Sequence, residues 1–185
     1  MIQQIVGITF FFFSWCLAPA QEIIFADSFA TNDNNWSLVQ GRKLQTSLKE
    51  GYLEIRTKSA YGAQLISQTV PIPPDTDYEI RLQVIQTAGA KNMGFGLCWG
   101  AKRDHQDWQA FLISTNGKYT ILDKKRDRYR EIKRWTESRN VWKQDMPNEL
   151  LIRKEGDRMY FFLNEKLAYV SAAIPLAGSD LGILV

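Results

Sequence analysis

Recurring period-two alternation, turn-forming pairs between the alternating runs, and the lack of any sustained helical period predict an all-β protein, an antiparallel jelly-roll β-sandwich. Beyond residue 20, no stretch longer than a few residues repeats apolar side chains at i, i+3, i+4 and i+7. Turn residues recur about every ten positions, which fits short strands folded into two packed sheets. A single open sheet would leave its apolar face wet.

The elements follow in chain order. Leu44, Thr46 and Leu48 alternate with Lys43, Gln45, Ser47 and Lys49. After Glu50-Gly51, Leu53, Ile55 and Thr57 alternate with Glu54 and Arg56, which makes a hairpin with one dry face. The proline-rich stretch 71–74 joins two strands of one core and is not a domain linker. Tyr78, Ile80, Leu82 and Val84 alternate with Glu79, Arg81 and Gln83, the clearest strand in the chain. Residues 93–99 are apolar on both faces and carry Gly94 and Gly96, with Gly100 just beyond, as expected of a buried central strand that neighbouring backbone approaches closely. Asn116-Gly117 is a strong hairpin signal because both residues tolerate positive φ, and it separates strands at 108–114 and 119–122. Gly156-Asp157 and Asn164-Glu165 divide strands at 150–154, 159–163 and 167–170. The total comes to about twelve or thirteen short strands, with neither repeats nor low-complexity segments.

Residues 1–20 carry no charged side chain, run almost continuously apolar from 5 to 17, and end in Ala18-Pro19-Ala20. That pattern reads as a secretory signal cleaved before Gln21, and it is too short for a spanning helix. Removing 20 of 185 residues leaves 165, one domain (21–185) with enough chain for a substantial core and no transmembrane segment. The expected location is secreted, periplasmic or cell-surface. Cys16 departs with the signal, so Cys98 has no internal disulfide partner and stability must come from packing.

The net charge of +3 is not that of a nucleic-acid-binding protein. Its distribution is uneven, since residues 123–134 hold seven basic and three acidic side chains, which leaves −1 for the remainder.

Several short motifs stand in order along the domain: Phe25-Ala-Asp-Ser-Phe29, Asn34-Asn-Trp36, Gly51-Tyr-Leu53, Gly94-Phe-Gly-Leu-Cys-Trp-Gly100, Trp108-Gln-Ala-Phe-Leu-Ile-Ser114, Asn116-Gly117, Asn148-Glu-Leu-Leu-Ile-Arg153 and Tyr160-Phe-Phe-Leu-Asn164. This set resembles the concanavalin A-like lectin/glucanase superfamily, especially laminarinase-like sandwich domains related to the keto-disaccharide hydrolases. It covers nearly all of residues 21–185. The resemblance implies a sandwich that binds sugars, cleaves glycans or mediates contacts, because fold alone does not settle function. Relatives usually carry one more strand after 181–185, often bearing an aspartate, which pairs back near the first strand. The domain is therefore expected to lack its last strand, either as a shortened product or with an edge left exposed.

Glycan cleavage on this scaffold requires two carboxyl groups facing each other, about 5 Å apart for retention and 6.5 to 9.5 Å for inversion. No strand here carries alternating acids of that kind, so the sequence leans away from an enzyme. The scattered candidates are Asp104, His105 and Asp107 in the polar run 102–107, for which a solvated loop is the favoured reading. A calcium ion on Asp27, Asn32, Asp33 and Asn34 is the one cofactor to consider, against the turn chemistry the same residues make; no other cofactor is expected. Cys98 lies in an apolar strand with no base nearby and reads as an inert thiol. A single histidine and no nucleophile elbow leave little for a serine hydrolase.

Recognition is then the leading expectation: an exported, non-catalytic carbohydrate- or ligand-binding domain whose partner is a glycan or other extracellular ligand. Tryptophan faces stack on sugar rings and also fill sandwich cores. Trp36 reads as a core plug, Trp99 and Trp108 flank the polar loop, and Trp135 and Trp142 bracket residues 136–141. The expected contact residues are Trp99, Trp108, Tyr119, Arg128 and Trp135, the arginine because its fork matches carboxylates and sulfates. The alternatives are a glycoside hydrolase of the keto-disaccharide hydrolase or laminarinase-like type, and a surface module that binds protein through the basic hairpin 124–134. For that hairpin the plainer reading is an edge kept soluble by lysine and arginine.

Overall fold

A computed structural model describes residues 22–58, 62–73 and 75–185; the expected signal peptide and Pro74 lie outside the described residues. Twelve strands and no helix are present among them. The strands are β1 (Leu44–Lys49), β2 (Tyr52–Thr57), β3 (Leu65–Thr69), β4 (Tyr78–Val84), β5 (Phe95–Ala101), β6 (Asp107–Ser114), β7 (Lys118–Lys125), β8 (Arg128–Glu137), β9 (Asn148–Glu155), β10 (Arg158–Leu163), β11 (Lys166–Ala172) and β12 (Asp180–Leu184). Every recorded pairing is antiparallel. A six-stranded sheet in the order β3-β12-β5-β6-β7-β8 packs on a four-stranded sheet in the order β11-β10-β9-β4, and β1-β2 forms a separate hairpin. The chain is therefore the antiparallel jelly-roll β-sandwich that the alternation predicts. No helix among the described residues is long and apolar enough to cross a membrane.

The expected turns are where the strands reverse. Glu50 and Gly51 both take positive φ between β1 and β2, as does Gly117 between β6 and β7 and Asn164-Glu165 between β10 and β11. β5 lies inside the six-stranded sheet and is buried along its whole length, which explains why it is apolar on both faces.

The core lies between the sheets. Phe95, Leu97, Trp99, Phe111, Ile113, Tyr119 and Ile121 of one sheet meet Ile80, Leu150, Ile152, Met159, Phe161 and Leu163 of the other. Phe161 sits at its centre, with ring centroids 5.3 Å from Phe111 and 6.0 Å from Trp99. Tilted and edge-on contacts of this kind add to the burial itself. The segment before β1 forms a satellite in which Trp36 is buried against Phe25 and Phe29 while its indole N–H donates to Asp27 at 2.6 Å. The expected plug is present, but it seals this N-terminal segment and not the inter-sheet core.

Candidate binding face

Residues directly opposite one another on antiparallel strands project to the same face. Register thus defines the outer face of the six-stranded sheet in three rows. Leu65, Leu184, Gly96, Leu112 and Thr120 form one, and Ser67, Gly182, Cys98, Ala110, Leu122 and Glu131 the next. The third runs from Thr69 through Asp180 to Ala101 on one side, and from Trp108 through Lys124 to Tyr129 on the other. The middle row is floored by small residues, Gly182, Cys98 and Ala110.

A β-bulge joins the two halves of the third row. The register slips between Asp180 and Gly182, and Gly100, at φ 59°, takes up the extra residue. A left-handed glycine at a bulge re-aims the side chains after it, and here Ala101 rejoins the outer face. The connection 102–106 then turns over that face and is fastened at several points. Lys102 pairs with Asp107 at 2.6 Å, Asp104 accepts from the Gln106 N–H at 3.0 Å, and Lys124 donates to the Gln106 carbonyl at 2.8 Å. Asp107 also accepts from the Arg126 N–H at 2.8 Å. The adjacent Lys102 ammonium, together with that N–H, holds the Asp107 carboxyl below the usual carboxylate range.

This tethering brings His105, itself at φ 56°, to within 3.2 Å of Ser67 on β3. The result is a cleft of about 380 Å³ whose polar lining includes Ser67, Gln68, Thr69, Arg103, His105 and Asp180. Asp180 is 8% exposed; its Oδ1 accepts from the Thr69 hydroxyl at 2.8 Å, and its Oδ2 has no partner among the described residues. Arg103 forms no ion pair among the described residues and can offer up to five N–H donors. The cleft thus combines a carboxylate acceptor, a guanidinium donor, hydroxyls and an imidazole beside apolar Val39, Leu44 and Leu65. That is a set suited to a ligand bearing many hydroxyls.

Asp180 is the one carboxylate among the described residues lining the cleft, whereas glycoside cleavage uses two. Asp104 and Asp107 are committed to holding the loop. The Ser67–His105 pair lacks a group orienting the imidazole's other nitrogen among the described residues, which nucleophilic catalysis requires.

At the other edge of the face lie the aromatics. Trp135, on β8, is 41% exposed, and its ring approaches Gly94 so closely that a Cβ there would stand 3.0 Å from it and 3.6 Å from Leu112. Tyr129 is 59% exposed and meets Trp108 edge-on at 5.8 Å, while Lys124 lies 5.8 Å above the Trp108 ring.

The sequence-expected contact residues divide accordingly. Trp99 is corrected: it is fully buried between the sheets, as Phe95, Leu97 and Trp99 point inward ahead of the Gly100 bulge. Tyr119 is corrected for the same reason, since it is buried in the core and its hydroxyl donates to the Ala168 carbonyl at 2.9 Å. Trp108 is on the outer face but only 5% exposed, serving as a floor under Tyr129 and Lys124. Arg128 is exposed, yet it pairs with Lys125 and so projects to the side opposite Tyr129. Trp135 is exposed on the outer face. The residues considered for calcium are engaged with one another: Asp27 accepts from Asn34, Trp36 and the Phe29 N–H, Asn32 brackets the Trp36 backbone, and Thr31 donates to Asp33. The cleft residues Ser67, Thr69 and Asp180 were not singled out from sequence, because a long-range pairing of β3 with β12 assembles them.

No protein-family model matches the chain, and no curated protein matches it. Among solved structures, the carbohydrate-binding module CBM66 from Bacillus subtilis matches with a TM-score of 0.60 at 14% identity, over 81% of this chain and 86% of that one. The similarity establishes a shared sandwich fold. Domain 4 of AbnA, a GH43 extracellular arabinanase from Geobacillus stearothermophilus solved with arabinotriose, aligns over 78% of this chain and 67% of that one at 10% identity and a TM-score of 0.44.

Proposed function

We propose that this protein is an exported, non-catalytic carbohydrate-recognition sandwich that holds a sugar in the cleft between β3, β12 and the 102–106 connection. The observation that carries the reading is the nearly buried Asp180 carboxylate, with one oxygen spent on Thr69 and the other unpartnered, in a cleft that also offers Arg103, His105 and Ser67. Sugar hydroxyls both donate and accept, and paired carboxylate and guanidinium groups satisfy both roles; charge-assisted hydrogen bonds are the stronger kind. Trp135 and Tyr129 supply the exposed rings on the same face, with Trp108 beneath. The fold shared with a carbohydrate-binding module agrees with this reading by analogy, as does the resemblance to concanavalin A-like domains.

Isothermal titration against neutral and acidic polysaccharides, with wild type and His105→Ala, tests the proposal. Binding that weakens in the variant supports it, and no binding to any polysaccharide ends it.

A second reading rests on the β7–β8 hairpin, where Lys125, Arg126 and Arg128 form no ion pair among the described residues, whereas Arg130 is tied to Asp123 at 2.7 Å. Those cations suit an acidic protein surface. Capture of such a partner that fades as salt rises, and is lost in Arg126→Ala/Arg128→Ala, would favour it.

A further inference from the structure

The outer face of the four-stranded sheet, on the opposite side of the sandwich, carries a second cleft of about 260 Å³. Gln83 of β4, Trp142 of the β8–β9 connection, Asn148 and Glu149 of β9, and the β10–β11 turn pair Asn164 and Glu165 line it. Gln83 and Glu149 lie directly opposite each other, which places the cleft on that sheet's outward side.

Trp142 is 44% exposed, yet its backbone is clamped. Its N–H donates to Asn148 Oδ1 at 2.7 Å, and its carbonyl accepts from Asn148 Nδ2 at 3.2 Å. Asn148 is itself buried and is held in turn by Asn164, whose amide donates to Asn148 Oδ1 at 3.1 Å and to the Asn140 carbonyl at 2.7 Å. Asn164 Oδ1 accepts from the Glu149 N–H at 2.7 Å. Buried carboxamides are costly unless their hydrogen bonds are met. Here they are met in a way that fixes the backbone carrying a solvent-facing indole, which lowers the ordering cost a ligand would otherwise face.

The turn adds a second observation. Asn164 and Glu165 sit at φ 47° and 66°, a left-handed pair in which asparagine is at ease and glutamate is not. Strained backbone of this sort concentrates at functional sites. Glu165 and Gln83 have no side-chain partner among the described residues, while Glu149 is engaged by Arg81 at 3.0 and 3.1 Å.

We propose that this cleft is a second carbohydrate site, selective for a neutral sugar ring. The apolar face of the ring stacks on Trp142, and its hydroxyls donate to Glu165 and exchange hydrogen bonds with Gln83. Among the described residues no cation lines the cleft to receive a uronate or sulfate, and Glu165 repels one, whereas Arg103 gives the first cleft a basic side. This second site deepens the carbohydrate reading and rests on it, but through separate residues. Two sites on opposite faces would let one domain bridge two chains of a polysaccharide or gain avidity on one.

The test is a ¹H–¹⁵N NMR titration of the protein with cellopentaose, xylopentaose, laminaripentaose and arabinotriose, with tetragalacturonate as the anionic probe. The Trp142 indole N–H resonance should shift with at least one neutral probe and stay put with tetragalacturonate. Trp142→Ala should weaken that response about tenfold or more, equivalent to about 1.4 kcal/mol. Glu165→Ala, which leaves the asparagine clamp in place, should weaken it while the His105 response is unchanged. The proposal is overturned if no neutral probe moves Trp142, if tetragalacturonate moves it equally, or if a folded Glu165→Ala protein binds as wild type. A shift at His105 without one at Trp142 sinks this inference alone; the reverse sinks only the first cleft.

Discussion

Asp180 of β12 stands directly opposite Thr69 of β3 and accepts its hydroxyl at 2.8 Å across a separation of 111 residues. One pair thus closes a strand ladder and presents a carboxylate to the cleft. Replacement by asparagine keeps an oxygen for Thr69 but removes the charge. Asp180→Asn should therefore unfold at nearly the wild-type urea concentration yet bind its polysaccharide about tenfold more weakly, a loss of about 1.4 kcal/mol. Titration calorimetry on the two proteins decides it, and unchanged affinity would remove Asp180 from the site.

Cys98 lies one residue from Trp99 on β5 but faces the other way, fully buried beside Ala110. Burial, reinforced by the charge of Asp180, pushes its thiol far above the ordinary range. Since the thiolate is the reactive form, an aromatic disulfide reagent at pH 8 should leave Cys98 unlabelled in the native protein and label it in guanidinium. Asp180→Asn should not unmask it, because burial is the larger cause. Rapid labelling of the folded variant would show that the charge, and not the packing, protects the sulfur.

The outer face of the four-stranded sheet is laced by ion pairs, with Glu79 receiving Arg153 at 2.8 Å and Arg81 at 3.0 Å. Burial acts to raise the Glu79 carboxyl, but the two guanidiniums outweigh it and hold the group below its ordinary 4.5. A depressed pKa contributes stability that is complete above the unfolded value and is lost as pH falls through the folded one. Arg153→Met, which keeps an aliphatic cover near Phe162, should cost about 1 kcal/mol or less at pH 7 given the arginine's exposure. That cost should shrink as urea unfolding is repeated at successively lower pH below 4.5. A difference that stays constant with pH would assign the effect to packing.

The range of the forces involved decides how much of the molecule could be read from its sequence. Alternation and local turn chemistry are short-range, so β4 and the hairpins at Glu50-Gly51, Asn116-Gly117, Gly156-Asp157 and Asn164-Glu165 were legible residue by residue. β3, with Leu65 and Ile66 followed by Ser67, Gln68 and Thr69, carries no such signature; it becomes a strand because β12 pairs with it. The cleft depends on that pairing and on the Gly100 bulge, so Ser67, Thr69 and Asp180 could not be brought together in advance. Aromatic type was visible but facing was not: Trp99 and Tyr119 turn inward while Trp135 turns outward, a distinction set by strand register and, on β8, by two register shifts.

Gly182 shows how closely the cleft depends on that register. β3 passes so near β12 that a Cβ on Gly182 would collide with the Ile66 carbonyl oxygen and stand 2.7 Å from the Ser67 Cα. Both neighbours are backbone, so neither can swing aside, and the strands would have to part. Overpacking of this kind costs about 1–3 kcal/mol and sometimes more, and in Gly182→Ala it would fall on the ladder that carries Ser67, Thr69 and Asp180. Phe161→Ala makes the instructive comparison. It leaves a hole at the centre of the core and should cost about 3–5 kcal/mol, but its ring partners Trp99, Phe111 and Tyr169 lie on β5, β6 and β11, outside the β3–β12 ladder. In conditions where both variants remain folded, Gly182→Ala should lose polysaccharide affinity and speed amide exchange at β3, whereas Phe161→Ala should bind nearly as wild type despite lower stability. If the two variants lose affinity only in proportion to their stability, the β3–β12 approach holds the fold together without shaping the cleft.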